Sequence, residues 1–215
     1  MAIAVAPPGR IRAVIFDLDE TLLDRAAAWR YSIEESVASV TGRRIDARPL
    51  VAEYRLRPWR HALSILVPDP ADLAQCEGLC ERMFYRSALK RLLVHEGVGM
   101  ALDHLRSARL DIGGISREPH GNAIRQIEST GLDRLLTVLS ATPAGAPWDV
   151  AARVQDCLSY VVRRPAECAL VTQDAASARL AASMGFHCVA ARWVTGCDAA
   201  GEGFQRPADL AALVA

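Results

Sequence analysis

Downstream of Gly97 the sequence alternates between apolar residues at helical spacing and short runs of branched apolar residues, and this alternation limits the possible folds more than any other feature. A helix through Val98, Leu102 and Leu105 leads into the run Leu110–Ser116. A helix through Ile124 and Ile127, stopped by Gly131, leads into Leu135–Ser140. The pattern repeats with Val150, Val154, Leu158 and Val161 before Cys168–Thr172, then a helix to Met184 closed by Gly185 before His187–Ala191. Short strands joined by helical crossovers pair in parallel and need helices on both faces, which predicts an α/β domain around a parallel sheet. The stretch Thr195–Gly203, rich in Gly and Ala, reads as a surface loop before a last short helix at Pro207–Val214.

A further strand candidate, Ile11–Phe16, is apolar along its length, as suits a strand covered on both faces, and it ends abruptly in Asp17-Leu18-Asp19. Between it and the alternating region the pattern is helical. Trp29, Ile33, Val37 and Val40 share a helix face closed by Gly42, and helical stretches follow at Val51–Leu56, Arg60–Leu66 and Asp72–Leu93, separated by Pro49, Pro58, Pro68 and Pro70. The chain thus divides into an α/β core, residues 1–23 and 95–215, and a helical insertion, residues 24–94, with no strand expected inside it.

Acidic and basic residues balance at 25 each in a chain of 215, so no long-range field draws the protein to nucleic acid or an anionic membrane. The Met1–Pro8 stretch lacks the basic and long apolar parts of a secretory signal, and no apolar run suits a membrane span; a cytoplasmic location is expected. Six scattered cysteines read as reduced, packed thiols, Cys76 and Cys80 included. In an open parallel sheet, ligands bind beyond the carboxyl ends of the strands. Asp17 and Asp19, Ser116, and Gln173-Asp174 all follow strand candidates. Capping a helix is the alternative use of Asp19 and Asp174, and Gly113-Gly114 inside a strand suggests close backbone approach.

The segment Val14-Ile15-Phe16-Asp17-Leu18-Asp19-Glu20-Thr21 resembles the first motif of the haloacid dehalogenase (HAD) superfamily, a strand running into DxDxT. The resemblance extends along the chain. The insertion after that motif is similar to the C1 cap of phosphoglycolate-phosphatase-like members, His95-Glu96-Gly97-Val98 resembles the re-entry into the core, Ser116 stands at the second motif's hydroxyl, and Leu170–Asp174 resembles the fourth motif. It implies a Rossmann-like core with a helical cap that closes over a small phosphorylated metabolite, and a magnesium-dependent phosphatase working through an aspartyl phosphate. By resemblance Asp17 is the nucleophile and Asp19 the acid and base; the Asp17 carboxylate, Asp19 backbone carbonyl and Asp174 hold the metal; and Leu18, Thr21, Ser116 and Arg117 bind phosphate, Leu18 and Arg117 through their N–H groups. The same acids would serve a phosphomutase, and oligomeric state is open.

Two places depart from the family pattern. Where the third motif has lysine before proline, this chain has Ala146-Pro147, and its only lysine, Lys90, lies in the insertion; Arg117 or Arg153 could supply the charge instead. Where a second acid follows the fourth motif, the chain has Ala178 and Arg179. These departures motivate an alternative, a catalytically impaired protein of the same fold with a binding or regulatory role. Arg55, Arg57, Arg60 and His61 around Trp59 form a basic aromatic cluster that reads as a solvated helix face with one packed Trp.

Overall fold

A computed structural model describes residues 10–50 and 59–214. The helix expected over Val51–Leu56, with Arg55 and Arg57, lies outside these residues. The chain forms two compact units, Met1–Leu23 with Val94–Ala215, and Asp24–Leu93.

The first unit is built on six parallel strands: β1 (Ala13–Asp17), β4 (Asp111–Pro119), β5 (Val138–Thr142), β6 (Cys168–Thr172), β7 (His187–Ala191) and β8 (Glu202–Phe204). They form one sheet in the order β5-β4-β1-β6-β7-β8. The helices between them are α4 (Val98–Ser107), α5 (His120–Thr130), α6 (Val150–Val161) and α7 (Ala175–Ser183), with a final 3-10 helix over Pro207–Val214. Every residue of β1 and of β6 is buried, because these central strands are covered on both faces. On one face Ala13, Ile15, Ile115, Cys168 and Leu170 pack with Val154, Cys157, Leu158 and Val161 of α6.

Three strand expectations need correction. The run Leu135–Ser140 enters the sheet only at Val138, because Leu132–Arg134 forms a 3-10 turn after the left-handed Gly131 and Leu135 and Leu136 complete it. The stretch Thr195–Gly203 is not all loop: Glu202–Phe204 pairs in parallel with Val189–Ala191 and extends the sheet. The Ser116 run continues to Pro119, with a register shift against β5 between Ser116 and Pro119. Gly113 and Gly114 do meet close neighbours. A Cβ on Gly114 would lie 3.0 Å from Leu18 Cδ2, and one on Gly113 3.3 Å from Ile15 Cγ1.

The second unit holds α1 (Ala26–Thr41), α2 (Trp59–Leu66) and α3 (Pro70–Met83), after which a π-type turn (Phe84–Ala88) and a 3-10 turn (Leu89–Arg91) replace the longer helix expected to reach Leu93. Gly42 ends α1 in a left-handed conformation that a side chain would resist. Asp69 starts α3, accepting hydrogen bonds from the Ala71 and Asp72 N–H groups, each 2.9 Å. Trp29 stacks on Trp59 and on Phe84, with centroids 4.9 and 4.0 Å away, at the centre of this unit's core. Cys76 and Cys80 are buried there as free thiols. Arg60 lies over Trp59 and pairs with Glu77 and Glu81, so the described part of the basic cluster is a solvated helix face. Contrary to expectation the insertion is bounded by strand: β2 (Leu23–Asp24) and β3 (Leu93–Val94) form a two-stranded pairing.

Candidate active site

The chain winds outward from β1 to β4 and β5, then returns to the other side of β1 as β6, β7 and β8. In open α/β sheets such a reversal marks where ligands bind, beyond the carboxyl ends of the flanking strands, here β1 and β6. Asp17 is the last residue of β1 and fully buried. Thr172, the last residue of β6, donates its hydroxyl to Asp17 Oδ2 at 3.2 Å and accepts the Asp174 N–H at 3.1 Å. Asp17 Oδ1 has no hydrogen-bond partner among the described residues. Burial pushes the Asp17 carboxyl up to about 7 and the neighbouring Asp19 charge adds to this, while Arg117 and the Thr172 hydroxyl oppose it.

Asp19 is buried two residues further along the chain. Its carboxylate accepts from Ser116 Oγ at 3.2 and 3.3 Å and from the Arg117 N–H at 2.6 Å. Ser116 is in turn fixed by the Glu118 N–H on its hydroxyl and by Thr142 on its carbonyl, each at 3.1 Å. The turn between Asp19 and Thr21 passes through Glu20 at φ 68, a left-handed conformation that is costly for a side-chain-bearing residue. The turn is held by His95, which donates Nε2–H to the Glu20 carbonyl at 2.8 Å, and by Trp193, which donates Nε1–H to the Thr21 carbonyl at 3.0 Å.

The phosphate-facing expectations fare unevenly. The Leu18 N–H donates to the Ile115 carbonyl at 2.9 Å, so it extends the β1–β4 ladder and is not free for a ligand. The Arg117 N–H is committed to Asp19 as described, and the Thr21 hydroxyl is buried with no hydrogen-bond partner among the described residues. Ser116, Asp17 and Asp19 do come together.

Asp174 caps α7, accepting from the Ser177 N–H at 2.7 Å and the Ser177 hydroxyl at 2.6 Å. Burial opposes its ionisation, but these hydrogen bonds and the Arg117 and Arg179 charges leave the carboxyl below its usual value. Arg117 Nη2 lies 3.8 Å from Asp174 Oδ2 and 4.0 Å from Asp17 Oδ2, and its guanidinium carbon sits 4.9 Å from the Trp148 ring centroid. Arg153, the other candidate for the missing lysine charge, is held elsewhere by the Ala141 carbonyl at 2.8 Å and Asp156 at 3.1 Å. Thr172, Trp148, His95 and Trp193 are site residues that sequence reasoning did not single out for these roles. Thr172 at a strand end was the one with a positional signal.

Among the described residues no three His, Cys, Asp or Glu side chains gather to hold a metal. The donor set suited to a hard divalent ion is smaller: two carboxylates, of which Asp17 has an oxygen in need of a partner, and a backbone carbonyl in the turn.

No protein-family model matches the sequence, and no curated protein matches it either. Its structure does match solved structures. A HAD-superfamily hydrolase of subfamily IA from Geobacter sulfurreducens superposes with a TM-score of 0.80 at 18% identity, over 96% of this chain and 98% of that one. This chain has the HAD fold. A candidate phosphoglycolate phosphatase from Lactobacillus plantarum matches at TM-score 0.73 and 15% identity, covering 95% of this chain and all of that one (100%). CbbY from Rhodobacter sphaeroides, solved with phosphate, matches at TM-score 0.67 and 16% identity over 93% and 96% of the two chains. The parallel sheet agrees with the HAD fold, and Asp17 ends its first strand.

Proposed function

We propose that this protein is a phosphoric monoester hydrolase acting on a small phosphorylated metabolite. The observation that carries the reading is the buried Asp17–Asp19 pair at the strand-order reversal, with Asp17 Oδ1 lacking a hydrogen bond among the described residues. A buried carboxylate oxygen with no donor is costly unless a ligand uses it. In this reading Asp17 attacks phosphorus and carries the phosphoryl as an aspartyl phosphate, which splits one difficult hydrolysis into two steps. Asp19 then protonates the departing alkoxide and afterwards takes a proton from the attacking water. Ser116 Oγ, which donates to Asp19 here, is the donor for a phosphoryl oxygen once Asp19 turns to its proton-transfer role.

A magnesium ion suits this donor set and would be held by the Asp17 carboxylate, the Asp19 carbonyl and Asp174, supplying charge that keeps Asp17 ionised and offsets the phosphate. Thr172 holds Asp17 Oδ2 in place, so the other oxygen is the one presented. The test is magnesium-dependent turnover of an aryl phosphate, with Asp17→Asn beside the parent protein. Loss of turnover in the variant supports the reading, and no turnover by the parent across a broad panel of phosphate esters overturns it.

One observation favours a second reading, a catalytically impaired protein that binds rather than hydrolyses. The Asp19 carboxylate takes the Ser116 hydroxyl and the Arg117 N–H, the donors a phosphate would need, and Ala146 leaves the usual lysine charge out. Saturable phosphate binding without turnover would select it.

A further inference from the structure

A positive charge that offsets part of the Asp17 and Asp174 pair comes from the chain itself. Arg117 follows Ser116 in β4, and its N–H bond to Asp19 roots the residue in the site. From there its side chain reaches back so that one nitrogen, Nη2, lies within 4.0 Å of Asp17 Oδ2 and 3.8 Å of Asp174 Oδ2, joining acids from two neighbouring strand ends. Trp148 shelves the guanidinium from one side. The side chain is 44% exposed, which alone would suit an ordinary surface arginine, but such a residue does not contact two converging carboxylates and an aromatic face together.

We infer that Arg117 is a built-in counter-cation of the site and that it competes with a divalent ion for Asp17 and Asp174. The inference rests on the reading that these two acids are metal ligands. Two cations cannot share the space between the same two carboxylates without strong repulsion, so metal entry requires the guanidinium to withdraw along Trp148. The ion-free site is then partly neutralised by arginine, and its apparent metal affinity is reduced by the work of displacing that charge.

Manganese binding to the full chain, followed by electron paramagnetic resonance, tests this directly. Arg117→Gln should bind the ion at least about tenfold more tightly than the parent, the fold-change that a differential of about 1.4 kcal/mol produces. Arg117→Lys, which keeps a charge but not the planar stack on Trp148, should fall between. The double variant Asp17→Asn with Arg117→Gln should lose the gained affinity, locating the ion at this site. Arg117→Gln should also melt at lower temperature without metal and regain the loss when manganese is added. Equal or weaker manganese binding by a folded Arg117→Gln overturns the inference, as does no binding by either protein; should that variant fail to fold, Trp148→Leu must show tightening or the inference falls. If Arg117→Gln tightens binding while the parent turns over no phosphate ester, the phosphatase reading fails and the competition stands. Turnover by the parent with unchanged manganese affinity in Arg117→Gln overturns the competition and leaves the phosphatase reading in place.

Discussion

Asp17 and Asp174 occupy equivalent places, at or just past the ends of the adjacent parallel strands β1 and β6, yet the fold treats them oppositely. Asp17 is fully buried, with one oxygen lacking a donor among the described residues and a carboxyl pushed up to about 7. Asp174 is partly exposed, has its Oδ2 satisfied by Ser177, and is held below the usual carboxylate range. The difference separates an acid kept at structural cost from one that contributes to structure. It follows from what comes next in the chain: a helix N-terminus offers donors to Asp174, whereas the residues after Asp17 turn sharply through Glu20 and their nearest N–H, that of Leu18, goes to β4.

Substitutions should reveal the asymmetry most strongly in turnover. Asp17→Asn is expected to lower phosphate-ester turnover by at least about 10³-fold, while the ion-free protein becomes more stable at pH 8, because a buried charge without full pairing is removed. Equal or lower stability of this variant in urea titrations would erase the contrast drawn above. Asp174→Asn should lose less turnover and gain no stability, because its carboxylate is already paired with Ser177.

Stability against pH gives the next largest effect. The folded Asp17 pKa, about 7, lies above the ordinary aspartate value of 3.8, so the folded state holds a proton that the unfolded chain releases. Its contribution to stability is therefore complete below about pH 4 and is lost as pH rises through 7. Urea unfolding of the ion-free protein should show this decline over about pH 4 to 7, and the difference between parent and Asp17→Asn should grow over the same interval. Gly114→Ala follows, with a cost of about 1–3 kcal/mol from overpacking against Leu18 and a matching fall in turnover, since Leu18 stands between the two acids. The smallest effect expected is for Ser177→Ala. It removes one of the two donors to Asp174 and should cost about 1 kcal/mol, read as a shift in the urea midpoint with turnover little changed.

Much of the core was legible in the order of residues. The runs Cys168–Thr172 and His187–Ala191 are strands with the expected limits, and the helix seen in the spacing of Val150, Val154, Leu158 and Val161 is α6. Where reading failed, local pattern and tertiary pairing diverged. Leu135 and Leu136 look like strand but complete a turn, and Glu202–Phe204 looks like loop but finds an edge to pair with. The site divides in the same way. An apolar strand ending in Asp17-Leu18-Asp19 is visible as a string, whereas the bond from Thr172 spans 155 residues and that from Trp193 spans 172.

The sequence by itself determined the alternation that makes a parallel sheet and the acids that end its first strand, because helical period, strand period and capping are set by residues within a few positions of each other. Only the tertiary structure decided that Arg117, and not Arg153, would stand between Asp17 and Asp174, that Asp19 would take the Ser116 and Arg117 donors, and that Asp17 would keep an oxygen unbonded among the described residues. Those outcomes depend on which strand ends are brought side by side and where long side chains come to rest on them, and residues far apart along a chain acquire such relations only when the sheet is assembled.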